Sequence, residues 1–458
     1  MTAVETLQAG IETFAESARA FAASERGRTP TWLLNLRQNA LEAFLKLGFP
    51  KPGDEEWRYF PVAPIARRVT GAPGTAEGPV SLKAREDARR AADALGPLGV
   101  SQRGMHQLVF LNGRLDPDCS RVEGLPKGVR IESVARLLER EPASLEPRLG
   151  LMRGHRENAF VALNTSFLYD GAFLLVPDRT VVSEPIHVVH VTDGNGGGVA
   201  AHPRLLVAIG ENAQATVLET YVSLGEAFVN PVTEVFLGRQ GLLDHYKLQE
   251  EGPDAFHVGT VLVHSAPGSQ YFSHVFSFGG RLVRNEATVH LHGDGAGTTL
   301  DGLFLASGEQ LVDNHTLVDH ARPHCGSQQY YKGILDGKGR GAFDGRIVVR
   351  PAAARTDAHQ KNRNLLLSPE AQVDSKPQLE IYNNDVKCTH GSATGRLDPD
   401  ALFYLRSRGL SEGEARSVLT FAFGSEITER VKVGPLRDHV EARVLGWLGA
   451  QVPAGRPR

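Results

Sequence analysis

KPQLEIYNNDVKCTHGSATGRLDPDALFYLRSRG, residues 376–409, is the stretch in which the chain changes from a strand-like to a helical pattern. In its first half, four apolar residues alternate with polar neighbours, as in a strand whose successive side chains point to opposite faces: Leu379, Ile381, Val386 and Cys388. Asp398 and Pro399 then suit the N-cap and the first position of a helix. The stretch therefore predicts that a β region ends here and a helical tail begins.

Upstream of this stretch, from about His106, the chain consists of short β-branched and aromatic runs separated by Gly, Asn, Asp or Pro. Examples are FLLVP, PIHVVHVT, ATVLETYV and GRIVVRP. Helical periodicity is missing between about Phe173 and Asp385, which excludes an alternating βαβ layout. A propeller would show a regular period of about 40 residues, whereas the spacing here drifts. Drift favours a β-solenoid over a propeller or a sandwich, because the turns of a solenoid tolerate insertions.

Helical patterns occupy both ends of the chain. Near the N-terminus, with Thr31 as the expected N-cap, apolar residues recur at helical spacing: Leu33, Leu36, Ala40, Phe44 and Leu47. In the tail, Ser411 and Glu414 form an expected capping box, and a further helix is expected after Pro435. We predict a mainly β protein with an N-terminal helical region (1–104), a parallel β-helix core (105–395) and a C-terminal helical domain (396–458).

Composition narrows the classes of partner and compartment. The 458 residues include 50 basic and 53 acidic side chains, a formal charge of −3, so neither nucleic acid nor a membrane is expected as a partner. Cys119, Cys325 and Cys388 are too few for a disulfide framework, which favours a reducing compartment. The first residues lack a basic segment before an apolar one, and we expect a cytoplasmic protein.

Cys388 and His390 are the candidate metal or cluster ligands. Two residues apart on a strand, they would share one face with their Cα atoms roughly 6.5 Å apart, close enough to approach one soft metal or cluster. The alternative is that both side chains serve only in packing. His315, His320 and His324 lie close to one another in the sequence. They fall on both faces of any strand, which argues against a further ligand set.

Signatures of enzymes are missing from the sequence. The phosphate-binding pattern G-x-x-x-x-G-K-[ST] does not occur, and neither do H-E-x-x-H, C-x-x-C and G-x-S-x-G. A β-helix polysaccharide lyase or hydrolase would need paired carboxylates in a groove. The available Asp294, Asp301 and Asp344 each stand beside glycine in what we expect to be a turn, where aspartate has a backbone role.

A family resemblance rests on KPQLEIYNNDVKCTHGSATGRLD (376–398) followed by LFYLRSRGLSEGEA (402–415). These segments resemble the SufB/SufD family of iron–sulfur cluster assembly scaffolds. Weaker similarity is found in DEEWRYFP (54–61), DNHTLVDHARPHCGSQQYYKGIL (313–335) and KNRNLLLS (361–368). In the B-type subunit the matching histidine is flanked by carboxylates, whereas His390 is flanked by Thr389 and Gly391. The D type therefore fits better, with the B type as the alternative.

The resemblance implies a right-handed parallel β-helix with helical ends and a non-enzymatic scaffold role. Such a scaffold pairs with the B subunit through the β-helix and recruits the Suf ATPase, which binds ATP. His390, with Cys388 as a further candidate, would complete a site for a transient iron–sulfur cluster at the B–D interface. The tail would dock the ATPase through Phe403, Tyr404, Arg406 and Arg408. The family also allows flavin binding, and a homodimer of the isolated chain stays open.

Overall fold

The computed structural model describes residues 2–68, 82–100, 103–149 and 157–451. Helices lie toward both ends of the chain and strands form its middle. The N-terminal part contains α1 (Ala3–Ser24), α2 (Thr31–Leu47), α3 (Ala63–Arg68), α4 (Leu82–Asp93), β1 (His106–Leu111), β2 (Arg114–Leu115), β3 (Arg130–Ser133), α5 (Val134–Arg140) and α6 (Ala159–Ser166). The tail contains α7 (Pro399–Ser407), α8 (Glu412–Thr428) and α9 (Gly434–Gln451).

Between α6 and α7 the described chain is built of strands alone. They are β4 (Gly171–Val176), β5 (Ile186–Ala201), β6 (Arg204–Ile209), β7 (Gln214–Val229), β8 (Val232–Leu237), β9 (Leu242–Glu250), β10 (Phe256–Ser265), β11 (Gln270–Ser277), β12 (Leu282–Leu291), β13 (Gly297–Ala306), β14 (Leu311–His320), β15 (Gly326–Leu335), β16 (Arg340–Val349), β17 (Thr356–Leu366), β18 (Gln372–Ile381) and β19 (Val386–Gly395).

Each of these strands pairs in parallel with the strand two positions along the chain. The odd-numbered strands β5 to β19 therefore form one sheet, the odd sheet, and the even-numbered strands β4 to β18 form a second, the even sheet. Together they make a β-solenoid of about 8 turns with helices at both termini. The prediction of a mainly β solenoid protein is confirmed.

The drifting spacing of the sequence is visible in the register. One column of paired residues in the even sheet consists of Val263, Val289, Val318, Ile347 and Leu379. Successive members are separated by 26, 29, 29 and 32 residues, because the segments that connect the strands differ in length. The strands stay in register while the turns vary, so the solenoid shows no fixed sequence repeat.

The inner faces of the two sheets pack against each other around the main apolar core. The alternation is clear in β17, where Ala358 and Gln360 face inward and are buried while Asp357 and Lys361 face solvent. Each fully buried aliphatic side chain of this core contributes about 1.5–3 kcal/mol relative to an exposed one. The paired turns therefore hold the structure together by apolar burial as well as by the backbone ladders.

The helices cover two outer surfaces of the solenoid. In the tail, Ile427 of α8 and Leu436 of α9 are fully buried in a cluster that includes Leu303 and Ile334 of the odd sheet. At the N-terminus, aromatic side chains from α1 and α6 pack with one from β7, including Phe14, Phe160 and Phe228. No helix in the described ranges is long and apolar enough to cross a membrane.

Several local predictions can be compared with the structure. Asp398 caps α7 and Ser411 forms a capping box with Glu414, as predicted. The prediction that Thr31 caps α2 is wrong, because Pro30 is the N-cap and makes no side-chain hydrogen bond. Helices α5 and α6 were not anticipated within the predicted core. The domain boundaries at residues 104 and 395 stay a prediction.

The predicted extended run through residues 378–390 is two strands. β18 ends at Ile381, and a turn follows in which the Asp385 N–H donates to Asn383 Oδ1 at 2.9 Å. β19 begins at Val386, so His390 lies in the middle of a strand. The polar YNND sequence forms the turn because asparagine can hydrogen-bond its own backbone two residues on.

Candidate functional site at the open end of the solenoid

The last turn of the solenoid, β18 and β19, has no further strand beyond it within the described chain. In β17 the inward-facing Ala358 and Gln360 are 0% and 1% exposed. Their register partners in β19 are Cys388, which is half-buried, and His390, which is exposed. The inner face of the solenoid therefore reaches solvent here, and we call this surface of β18 and β19 the open end.

The even sheet shows the same change at the open end. Ile347 in β16 is fully buried, whereas its register partner Leu379 in β18 is half-buried. Ile381 at the end of β18 is 42% exposed and the adjacent Tyr382 is 59% exposed. Apolar side chains and unpaired strand edges at one surface are the features of a surface that associates with another chain.

Cys388 and His390 lie on one face of β19, as predicted from their spacing, since both pair with inward-facing residues of β17. Cys388 is a free cysteine that packs against a small apolar cluster containing Ala358. Burial, and then the charge of Asp357, raise the pKa of the Cys388 thiol, which disfavours the thiolate that binds metals. His390 is exposed and is the more accessible ligand of the two.

The described residues bring no third histidine, cysteine or carboxylate to Cys388 and His390 in a metal-binding group. The outward face of the same strands carries His359 instead, whose ring nitrogens lie 2.7 Å from Thr389 Oγ1 and 2.8 Å from Asp357 Oδ1. These contacts belong to the opposite face of the sheet from His390. The open end thus offers one exposed imidazole and one partly buried thiol, an incomplete ligand set.

Helix α7 follows the open end after three residues and contains no buried residue. Phe403 is 75% exposed and Tyr404 is 56% exposed. The Arg408 guanidinium lies 5.2 Å from the centre of the Tyr404 ring, and Arg406 Nη1 lies 3.8 Å from a Glu412 carboxylate oxygen. Phe403, Tyr404 and Arg406 therefore lie on one short, solvent-exposed helix, and Arg408 is its C-cap.

The remaining apolar side chains of the tail divide into two groups. Phe421, Phe423 and Trp447 are partly buried against the cluster that joins α8 and α9 to the odd sheet. Leu445, by contrast, is 51% exposed. The apolar surface of the tail therefore packs on the solenoid at some residues and faces outward at others.

A polar groove lies where the N-terminal segment crosses the outer face of the even sheet. Trp57 stacks on Phe160, and the Arg284 guanidinium lies 3.8 Å from the Trp57 ring. Lys376 of β18 forms an ion pair with Glu55 and also faces the groove. These contacts hold Trp57 against α6 and against Arg284 of β12, a pairing that the sequence did not predict.

The three aspartates considered for glycoside chemistry are separated. Asp294 lies in a turn as predicted, but Asp301 and Asp344 lie within β13 and β16, so the prediction that these two occupy turns is wrong. Asp301 accepts a hydrogen bond from Arg430 at 2.9 Å, while Asp344 accepts one from Gln378 at 2.7 Å in the other sheet. They do not form the facing carboxylate pair that such enzymes use.

The histidines of the 313–325 segment do not converge, as predicted. His320 is buried with Nε2 2.9 Å from Ser327 Oγ, whereas His315 Nε2 lies 2.9 Å from Asp313 Oδ1 and His324 is exposed in a turn. A different group does converge in the structure and was not found from the sequence: His290, His292 and Asp319. The His-x-His spacing was its visible signal.

Comparison with known proteins gives matches along most of the chain. The family model described as the SufBD core domain of the SUF iron–sulfur cluster assembly system matches residues 190–423, and the SufBD N-terminal region matches residues 99–188. An iron–sulfur cluster assembly SufBD family protein of Synechocystis is 31% identical, over 92% of this chain and 93% of that protein. The SufD proteins of Escherichia coli and Bacillus subtilis are 30% and 24% identical, over 91% and 90% of this chain and 93% and 92% of theirs.

Proposed function

Because the chain belongs to the SufBD family of iron–sulfur cluster assembly proteins and is of the SufD type, we propose that it is a non-enzymatic scaffold subunit. It pairs with a B-type subunit through the open end and recruits the Suf ATPase through α7. The cluster is its cargo and is assembled transiently at the paired surface. Flavin binding, which the family allows, stays a prediction.

The open end is the observation that carries this proposal. Each residue of β17 that faces inward is covered by β19, but nothing in the described chain covers β19 in turn. A second solenoid that presents its own terminal strands would continue both sheets through backbone hydrogen bonds. It would also bury Leu379, Ile381 and Tyr382, which are poorly placed in water. A second copy of this chain is the competing occupant.

His390 is the residue of this chain that meets the cluster. It lies on the inward-facing side of β19, so a partner seated on the open end would enclose its imidazole between the two chains. Imidazole is a known ligand of iron–sulfur clusters beside thiolates. The raised pKa of Cys388 makes its thiol the weaker candidate. The missing ligands are then supplied by the partner, since this chain offers an incomplete set.

The ATPase docks on α7. The helix presents two large exposed rings, Phe403 and Tyr404, with Arg406 and Arg408 beside them. Aromatic anchors surrounded by arginine are the composition of the energetically dominant part of protein interfaces. ATP belongs to that partner, because this sequence has no phosphate-binding loop.

The role of His390 is tested by His390→Ala, with His359→Ala on the opposite face of the sheet as the matched control. We expect His390→Ala to lower the activity of iron–sulfur enzymes in cells while the complex still assembles and the melting temperature stays within about 1 °C of wild type, because an exposed side chain stabilises little. His359→Ala should retain activity. If the His390→Ala chain unfolds, or no longer assembles into the complex, the histidine has only a structural role.

The docking surface is tested by the double variant Phe403→Ala/Tyr404→Ala, with Leu445→Ala on α9 as control. Removing the whole tail is a poor test, because Ile427 and Leu436 are buried on the solenoid and their loss would expose its apolar surface. The double variant should lose copurification with the ATPase and keep the B subunit. Retention of the ATPase would exclude α7 as the docking helix.

A further inference from the structure

A row of histidines crosses the outer face of the even sheet. His264 of β10 is the register partner of His290 in β12, and His290 is the register partner of Asp319 in β14. His292 follows two residues after His290, just beyond the end of β12. Adjacent strands lie about 4.8 Å apart, so side chains from three successive turns of the solenoid meet at one place.

The distances suit a single metal ion. The ligand atoms of His290, His292 and Asp319 all lie within 4.8 Å of one another. His290 Nδ1 is 3.6 Å from Asp319 Oδ2, and the rings of His264 and His292 have centres 4.8 Å apart. In a tetrahedral zinc site with bonds near 2.1 Å, ligand atoms lie about 3.4 Å apart. Small side-chain rotations on rigid strands would bring the group to that geometry.

Two further contacts support a binding site. His290 Nδ1 is shielded from solvent, yet no described residue forms a hydrogen bond with it. Asp319 is 7% exposed, and its Oδ1 accepts a hydrogen bond from Arg350 Nε at 2.8 Å. Its Oδ2 accepts a longer one from Arg350 Nη2 at 3.3 Å and also faces His290 Nδ1. Metal-ligating carboxylates are commonly held in this way by a second hydrogen-bonding partner.

We propose that His290, His292 and Asp319 bind one divalent transition-metal ion of the zinc class, with His264 placed to supply a fourth ligand. Imidazole nitrogens with one carboxylate oxygen form a donor set that suits zinc. The ion joins β12 to β14, and β10 as well when His264 binds, and so stabilises three turns of the solenoid. This site lies on the even sheet, whereas His390 lies on the odd sheet, and it is independent of the proposed scaffold role.

The test uses the full-length chain, freed of any affinity tag and of metal by chelation, titrated with Zn²⁺ in a calorimeter. Co²⁺ is the second probe, because its visible absorption reports the coordination geometry. We expect one ion per chain, a higher melting temperature with Zn²⁺, and a tetrahedral Co²⁺ spectrum. The double variant His290→Gln/His292→Gln should bind Zn²⁺ at least about 10-fold more weakly. Mutating groups that only support metal ligands already lowers metal affinity by about this factor.

Two controls separate this site from other histidines. His324→Asn removes an exposed histidine from the neighbouring turn, where asparagine tolerates its φ of 61°, and His390→Ala removes the proposed cluster ligand. Both variants should bind Zn²⁺ like wild type. If the double variant does not fold, the exposed His292→Gln alone carries the test. Absent binding in wild type, or equal affinity in the wild-type, double-variant and His292→Gln chains, would overturn the proposal.

Discussion

The two ends of the solenoid differ in whether further strands cover their terminal turn. At the first turn, β1 pairs with β5 and β3 with β4, and these strands bury residues such as Phe110 and Ala172 completely. The buried Asp170 carboxylate ties this end together, accepting from the Ser133 hydroxyl at 2.7 Å and from the N–H groups of Leu115 and Ala135 at 3.0 Å. We call this the closed end. The open end has no equivalent of these strands within the described chain.

The difference teaches that the chain completes one end by itself and leaves the other to be completed. A solenoid turn buries its inner face only when a neighbouring turn covers it. The closed end obtains this cover from β1 to β3, at the cost of ordering an additional segment. At the open end the same requirement is unmet, and the surface that results contains the residues on which the family resemblance is densest.

The largest expected effect comes from introducing an aspartate at either of two paired positions in the even sheet, Ile347 and Leu379, which lie one turn of the solenoid apart. Ile347→Asp buries an uncompensated carboxylate and should destabilise the chain by about 3–5 kcal/mol, whereas its register partner Leu379 is half-buried and Leu379→Asp should cost about 1 kcal/mol or less. Urea unfolding of the two isolated variants measures both. Equal destabilisation would show that the open end is covered within the chain itself.

A second comparison uses amide hydrogen exchange along the odd sheet. The backbone of β17 is paired on both sides, whereas β19 pairs only with β17 among the residues that the structure describes. In the isolated chain, amides of β19 should exchange faster than those of β17 by on the order of 100-fold. Binding of the B-type subunit should slow β19 toward the rate of β17. Unchanged exchange in the complex would place the interface elsewhere.

The smallest effect concerns acid stability of the closed end. His190 is stacked between Phe110 and Tyr221, with ring centres 5.2 and 4.9 Å away, and neither ring nitrogen has a hydrogen-bond partner in the described chain. Burial lowers the pKa of His190 to about 4. The unfolded chain therefore binds more protons than the folded chain between about pH 6.5 and pH 4, and stability falls as the pH falls through that window.

His190→Phe removes this titration while keeping an aromatic ring in the stack. The free energy of unfolding of the variant minus that of wild type should be about 1–2 kcal/mol higher at pH 5 than at pH 7.5. Denaturant unfolding at both pH values measures this difference. Parallel pH profiles for wild type and His190→Phe would mean that His190 is solvated.

Sequence reasoning was most reliable where local chemistry decides the structure. The capping residues Asp398 and Ser411 were predicted correctly because a cap depends on neighbours two or three residues away. The shared face of Cys388 and His390 follows from the two-residue period of any strand. The turn at residues 382–385 was missed, although the step of five residues from Ile381 to Val386 changes the parity of the alternation and so excludes one continuous strand with a single apolar face.

The sequence by itself determined a mainly β solenoid with helical ends, and its most informative stretch identified the family. Only the tertiary structure decided which surfaces stay uncovered and which distant side chains meet. His264, His290 and Asp319 belong to three turns of unequal length, so no sequence spacing predicts their contact. His390 is likewise exposed because no further turn of the described chain covers β19. Pairing between turns is set by long-range register, which local sequence patterns do not contain.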